Sequence, residues 1–94
     1  MDKNRVSVVI PTYNSWITLR SCISSIQKQT VKADEIIIVD NGSSDGTSGK
    51  VKSYFPEVKL IKLKTNYGVT GGRNKGISES SPRADYILFF DHDM

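Results

Sequence analysis

Asp85-Tyr86-Ile87-Leu88-Phe89-Phe90-Asp91-His92-Asp93-Met94 closes the sequence and decides how the rest of it is read. The apolar run after Tyr86 predicts a strand buried on both faces. It leads into two acids one residue apart, Asp91 and Asp93. Acids directly after a core strand lie at its carboxyl end, where open α/β sheets place their ligands. Two carboxylates so close repel unless a cation lies between them, so the pair reads as half of a divalent-metal site. His92 lies between the acids, and neighbours along an extended segment point to opposite sides, which turns it away from them.

Working back from there, three more strands are expected, one of them also ending in an acid. Val6 to Ile10 is β-branched and nearly all apolar, and Pro11 is expected to end it. Asn14 or Ser15 can then cap a helix with apolar positions Trp16, Leu19, Cys22, Ile23 and Ile26, a helical spacing with one face turned to the sheet. Glu35 to Asp40 is a second buried strand, followed by turn formers from Asn41 to Thr47. A weak helix is expected from Thr47 to Phe55, closed by Pro56. Val58 to Leu63 alternates in part and reads as a third strand, at an edge shielded by its lysines. Asn66 to Gly76 is a glycine-rich stretch leading into a helix through Ile77 to Ser80, which Ser81-Pro82 ends. Strand and helix alternate throughout, which predicts an α/β fold: a Rossmann-like parallel sheet of about four strands with flanking helices, in a single domain over 1–94.

Composition narrows the function classes. The net charge of +3, from 13 basic and 10 acidic residues, is small and scattered, so no nucleic-acid partner is expected. The single cysteine, Cys22, makes no internal disulfide, and its helical spacing reads as a packed structural thiol. No apolar run approaches the ~20 residues that span a bilayer, so no membrane segment is expected. The amino terminus does not read as a signal peptide. A cytoplasmic setting follows, including the cytoplasmic face of a membrane if another part of the protein attaches there.

Thr12-Tyr13-Asn14, Asp40-Asn41, Asn66 to Asn74 and Asp91 to Asp93 all follow predicted strands, so a parallel sheet brings them to one edge. A polar loop needs no function, but four clusters on one edge, two of them beginning with an acid, favour a shared ligand site. Gly68, Gly71 and Gly72 supply positive φ or close packing, or else let backbone N–H groups approach a phosphate. The spacing is neither G-x-G-x-x-G nor G-x-x-x-x-G-K-[ST]. Arg73 could pair with a phosphate or be a solvated surface charge. Asp40 could accept a hydrogen bond from a base or sugar, or cap the next turn. Tyr13 could stack on a base or cover the sheet edge. For each of these residues in isolation the structural role takes precedence.

Taken together, Val8-Val9-Ile10-Pro11-Thr12-Tyr13-Asn14, Ile38-Val39-Asp40-Asn41-Gly42-Ser43-Ser44-Asp45-Gly46-Thr47, Asn66-Tyr67-Gly68 with Gly72-Arg73-Asn74-Lys75-Gly76, and Asp91-His92-Asp93 resemble the amino-terminal half of family 2 glycosyltransferases, which have the GT-A fold. The resemblance covers about residues 5 to 94. It implies an inverting enzyme that takes sugar from a nucleotide-diphosphate sugar, of UDP or dTDP type, to an unknown acceptor. It implies that Pro11, Thr12 and Tyr13 contact the nucleoside, that Asp40 reads the base, and that Gly72 and Arg73 lie against the nucleotide. It places Asp91 near the ribose or sugar and Asp93 on Mn²⁺ or Mg²⁺.

A family catalytic domain is about twice this long and carries its general base in the second half, so that base is expected beyond Met94. These residues alone are expected to bind nucleotide weakly and to transfer no sugar. Two rival readings stand beside this one. A nucleotidyltransferase-like module would place a glycine-rich basic loop after the first strand, where this chain has Pro-Thr-Tyr-Asn. A non-catalytic nucleotide- or metal-binding module would gather acids at the first and third strands, which here end in Pro-Thr and Lys-Thr. Should the last strand lie at the sheet edge, it offers a route to a dimer.

Overall fold

The computed structural model describes residues 5–29 and 33–90. The elements in chain order are β1 (Val6–Thr12), α1 (Trp16–Gln27), β2 (Glu35–Asp40), α2 (Thr47–Tyr54), β3 (Lys59–Lys62), α3 (Gly68–Glu79) and β4 (Tyr86–Phe89). The four strands form one parallel sheet in the order β3-β2-β1-β4. The chain moves outward from β1 through β2 to β3, then returns across the sheet to place β4 beside β1. That reversal marks a topological switch point, and the carboxyl ends of strands beside it are where such sheets open a crevice.

Alternation along β1 assigns the two faces. Val8 and Ile10 pack with Ile38, with Leu19, Ile23 and Ile26 of α1, and with Val51 of α2. Val9 packs with Ile37 and Val39 on the opposite face, under α3. Ile10, Leu19, Ile23 and Ile38 have no exposed surface, and burying each such side chain contributes about 1.5–3 kcal/mol. Gly76 gives α3 its close seat, because a Cβ there would stand 2.2 Å from Val9 Cγ1. Cys22 is half-buried against the α1–α2 core, and desolvation raises its thiol pKa, which suits packing rather than nucleophilic chemistry.

The structure departs from the sequence reading at four places. Pro11 does not end β1, which continues to Thr12 with Pro11 opposite Val39. The Val9 carbonyl accepts from Phe90 N–H on the β4 side, whereas the Thr12 carbonyl accepts from Asn41 N–H on the β2 side. By that alternation Pro11 faces the β4 side, and among the described residues β4 pairs only as far as Val9, so the missing donor costs none of the described ladder bonds. Second, Ser15 occupies the α1 N-cap without capping through its side chain, because its hydroxyl donates to the Tyr13 carbonyl instead. Third, α3 begins at Gly68, so most of the glycine-rich stretch is helix. Fourth, β4 is an edge strand, with Tyr86, Leu88 and Phe89 exposed rather than buried on both faces.

Candidate active site

The loop after β1 is tied to the loop after β2. Asn14 adopts φ 47°, a left-handed conformation that asparagine tolerates better than most residues. Its N–H donates to Ser43 Oγ at 2.9 Å, and its Oδ1 accepts from Ser44 N–H at 2.8 Å. This clasp, together with the Asn41 N–H to Thr12 carbonyl bond, fixes the carboxyl ends of β1 and β2 side by side.

Between these ends and the start of α3 lies an open cleft of about 350 Å³, lined by Pro11, Thr12, Tyr13, Asn41, Gly68 and Val69 among others. The volume is within the range of small-molecule sites. Tyr13 is 44% exposed and leaves a ring face available. Thr12 is only 2% exposed, and its Oγ1 is fully enclosed with no hydrogen-bond partner. Buried hydroxyls nearly always find partners, and among the described residues this one has none.

The remaining expected residues are placed differently. Asp40 is wholly buried: Oδ1 accepts from Ser43 N–H at 2.9 Å, and Oδ2 accepts from the Ser48 hydroxyl. It holds the turn after β2 and does not line the cleft. Gly72 lies behind the cleft, where a Cβ would come within 2.9 Å of both Asn41 Nδ2 and Pro11 Cβ. Arg73 stands on the β4 side with its guanidinium 5.4 Å from the centre of the Phe89 ring, a cation–π distance, and its buried Nε has no partner. Asp91 and Asp93 lie outside the described residues. Among the described residues no three His, Cys, Asp or Glu side chains gather as a metal site.

Asn41 and Asn66, expected only as members of the polar clusters at this edge, line the cleft. The structure adds Ser15 and Thr18 of the α1 entry, which the sequence did not single out for a ligand. For Asn41 the signal was its position directly after a strand-ending acid; a lone asparagine in a turn carries no further mark. Nearby, Asp45 accepts from both the Thr47 hydroxyl and Thr47 N–H. The side-chain bond is the larger cause that holds its carboxyl below the usual value, with Lys50 adding charge attraction.

The sequence profile of "Glycosyl transferase family 2" matches residues 7–94. The chain belongs to glycosyl transferase family 2. Among curated relatives, this family 2 chain is 37% identical to the cholesterol galactosyltransferase of Borreliella burgdorferi, over 99% of this chain and 26% of that protein. Among solved structures it matches S. aureus TarS in complex with UDP-GlcNAc with a TM-score of 0.82 and 31% identity, over 95% of this chain and 26% of that one. It also matches a mannosyltransferase from Pyrobaculum calidifontis in complex with GDP-Man and Mn²⁺, with a TM-score of 0.74 and 25% identity, over 85% of this chain and 25% of that one. The family 2 chain therefore has the GT-A type of sheet and spans about a quarter of the Borreliella and Pyrobaculum proteins and of residues 1–349 of TarS, and 16% of the longer TarS chain. Among the described residues, no helix is long and apolar enough to cross a membrane.

Proposed function

We propose that this chain forms the donor site of an inverting glycosyltransferase, binding a nucleotide-diphosphate sugar of UDP or dTDP type for transfer to an acceptor held by other residues. The observation that carries the reading is the cleft at the β1 carboxyl end, beside the point where the strand order reverses, lined by Thr12, Tyr13, Asn41 and Asn66. A nucleoside is the ligand class that suits it: Tyr13 for stacking, Asn66 for hydrogen bonding, and the Thr12 hydroxyl, unpartnered among the described residues, turning to meet the bound ligand. Arg73 is proposed to serve an anionic part of the donor, because its Nε has no partner among the described residues.

Mn²⁺ or Mg²⁺ is proposed as the cofactor. The described residues do not supply its ligands, so this part of the proposal rests on Asp93, with Asp91 near the ribose or sugar, and on the Mn²⁺ bound by the P. calidifontis relative. A divalent ion there would neutralise charge on the departing nucleoside diphosphate. Asp40 is proposed to act through the turn it braces, since both its oxygens are engaged. The acceptor and the general base are assigned to residues outside these 94, so this polypeptide alone is not expected to transfer sugar.

Titration calorimetry with UDP, dTDP and GDP, each with and without Mn²⁺, tests the reading. Metal-dependent binding of UDP or dTDP that Asp93→Ala removes is the expected result. Binding that ignores Mn²⁺ and survives Asp93→Ala would overturn the metal assignment. Sugar transfer by the chain alone would overturn the division of labour.

A further inference from the structure

Asn41 follows directly on β2 and is 4% exposed. Neither of its side-chain hydrogen bonds stays in its own loop. Its Nδ2 donates to the Gly68 carbonyl at 3.1 Å, 27 residues away, and its Oδ1 accepts from Tyr67 N–H at 3.2 Å, 26 residues away. Tyr67 is the N-cap of α3, and its own side chain makes no capping bond. Gly68 has φ 79°, and its N–H is taken by Asn66 Oδ1 at 2.7 Å. The primary amide of Asn41 thus bonds on both sides of the Tyr67–Gly68 peptide. One turn further on, Gly72 rests against the same amide and Pro11.

We propose that Asn41 is a positioning residue for the donor site: its amide locks the start of α3 against the β1 and β2 ends and so sets the width of the cleft. One wall of that cleft is Asn66, Gly68 and Val69, and the other is Thr12 and Tyr13, with Asn41 at the junction. The same clamp fixes Arg73, because Arg73 follows Gly72 on α3. The role requires an amide rather than a carboxylate. Aspartate could accept from Tyr67 N–H, but it has no proton for Gly68 and would set an anionic oxygen against that carbonyl. The functional half of this inference rests on the nucleotide-site reading, whereas the structural half stands without it.

The test uses the 94-residue chain as wild type, Asn41→Ala and Asn41→Asp, with Val51→Ala as a control. Val51 is buried under the α1–α2 layer, away from the cleft, so it lowers stability without touching the clamp. Amide hydrogen exchange at Tyr67 is read by NMR, and UDP affinity is read by calorimetry with Mn²⁺. Asn41→Ala is expected to exchange Tyr67 N–H about tenfold faster than the control at matched global stability, and Asn41→Asp, which keeps that acceptor but repels the Gly68 carbonyl, by a smaller factor. In each variant the apparent Kd for UDP should rise by the same factor as the exchange, about tenfold for Asn41→Ala, because apparent affinity falls with the fraction of chains whose wall is in place. Unchanged Tyr67 protection in Asn41→Ala overturns the proposal, as does faster exchange with unaltered affinity. Weaker UDP binding without faster exchange also overturns it, since Asn41 would then act by direct contact. A wild-type chain that binds no UDP overturns the nucleotide reading instead, and Tyr67 exchange then decides the clamp by itself.

Discussion

Thr12 Oγ1 is enclosed at the cleft without a partner, and leaving a buried hydroxyl unpaired costs on the order of 1–3 kcal/mol. An isosteric methyl removes that cost, so Thr12→Val should raise stability by about 1 kcal/mol in urea denaturation. On the proposed reading this hydroxyl turns to the bound nucleotide, so the same change should lower nucleotide affinity by about tenfold. Opposite movements of stability and affinity are the signature of a group kept for binding; a variant that loses both would make the hydroxyl structural. At Gly76 steric contact outweighs propensity. Alanine gains about 1 kcal/mol of helix propensity over glycine, but its Cβ would stand 2.2 Å from Val9 Cγ1. Gly76→Ala is therefore expected to lose roughly 1–3 kcal/mol net, by the cost of overpacking a core contact. Equilibrium denaturation reads the outcome, and a gain in stability would refute the tight seat of α3 on β1.

At the level of elements, α2 shows how a weak helix is anchored. Its N-cap is Gly46 in the left-handed region, which has no side chain to cap with. Asp45 supplies the missing acceptor from one residue further out, through the Thr47 hydroxyl and N–H. Because the folded carboxyl is held below its ordinary value, the contribution is fully present above the unfolded pKa and fades as pH falls through the folded one. Asp45→Ala should thus destabilise the chain by about 1 kcal/mol at neutral pH, as loss of a helix cap does. The difference between variant and wild type should shrink below about pH 4, near the ordinary aspartate pKa. A pH-independent difference, measured by denaturation at several pH values, would mean that the hydroxyl of Thr47 and not the charge matters.

The elements were legible in the sequence to unequal degree. Val6–Ile10 and Glu35–Asp40 declared themselves through β-branched runs that no other element favours, and α1 through its helical spacing. The α3 start was not legible, because Gly68, Gly71 and Gly72 have poor helix propensity and each answers a tertiary need: positive φ at Gly68, closeness to Tyr67 Cβ at Gly71, and the seat against Asn41 and Pro11 at Gly72. The edge position of β4 was not legible either, since an apolar strand reads alike whether it has one neighbour or two. The cleft residues Thr12 and Tyr13 were within reach as a motif. The inward turn of Asp40 depends on Ser43 and Ser48 and could not be read from spacing.

For the whole molecule, the two sheet edges carry different chemistry. β3 is edged by Lys59 and Lys62, and Lys59 also pairs with Glu79 at 3.6 Å, so that side is charged and resists strand addition. β4 has no such protection: among the described residues no strand pairs with its outer side, and Tyr86, Leu88 and Phe89 are exposed along it. An unpaired strand with apolar flanks is a template for another chain. The 94-residue polypeptide is therefore expected to self-associate through β4 with rising concentration, as read by sedimentation velocity. Leu88→Lys should return it toward monomer while changing unfolding stability by no more than about 0.5 kcal/mol, the range for exposed positions. Lys62→Leu, which strips charge from the other edge, separates edge-specific pairing from general stickiness: it should open a second route of association without altering the first. A wild-type chain that stays monomeric at all concentrations would mean that exposure of Tyr86, Leu88 and Phe89 is too small a patch to drive pairing, even with the backbone of β4 free.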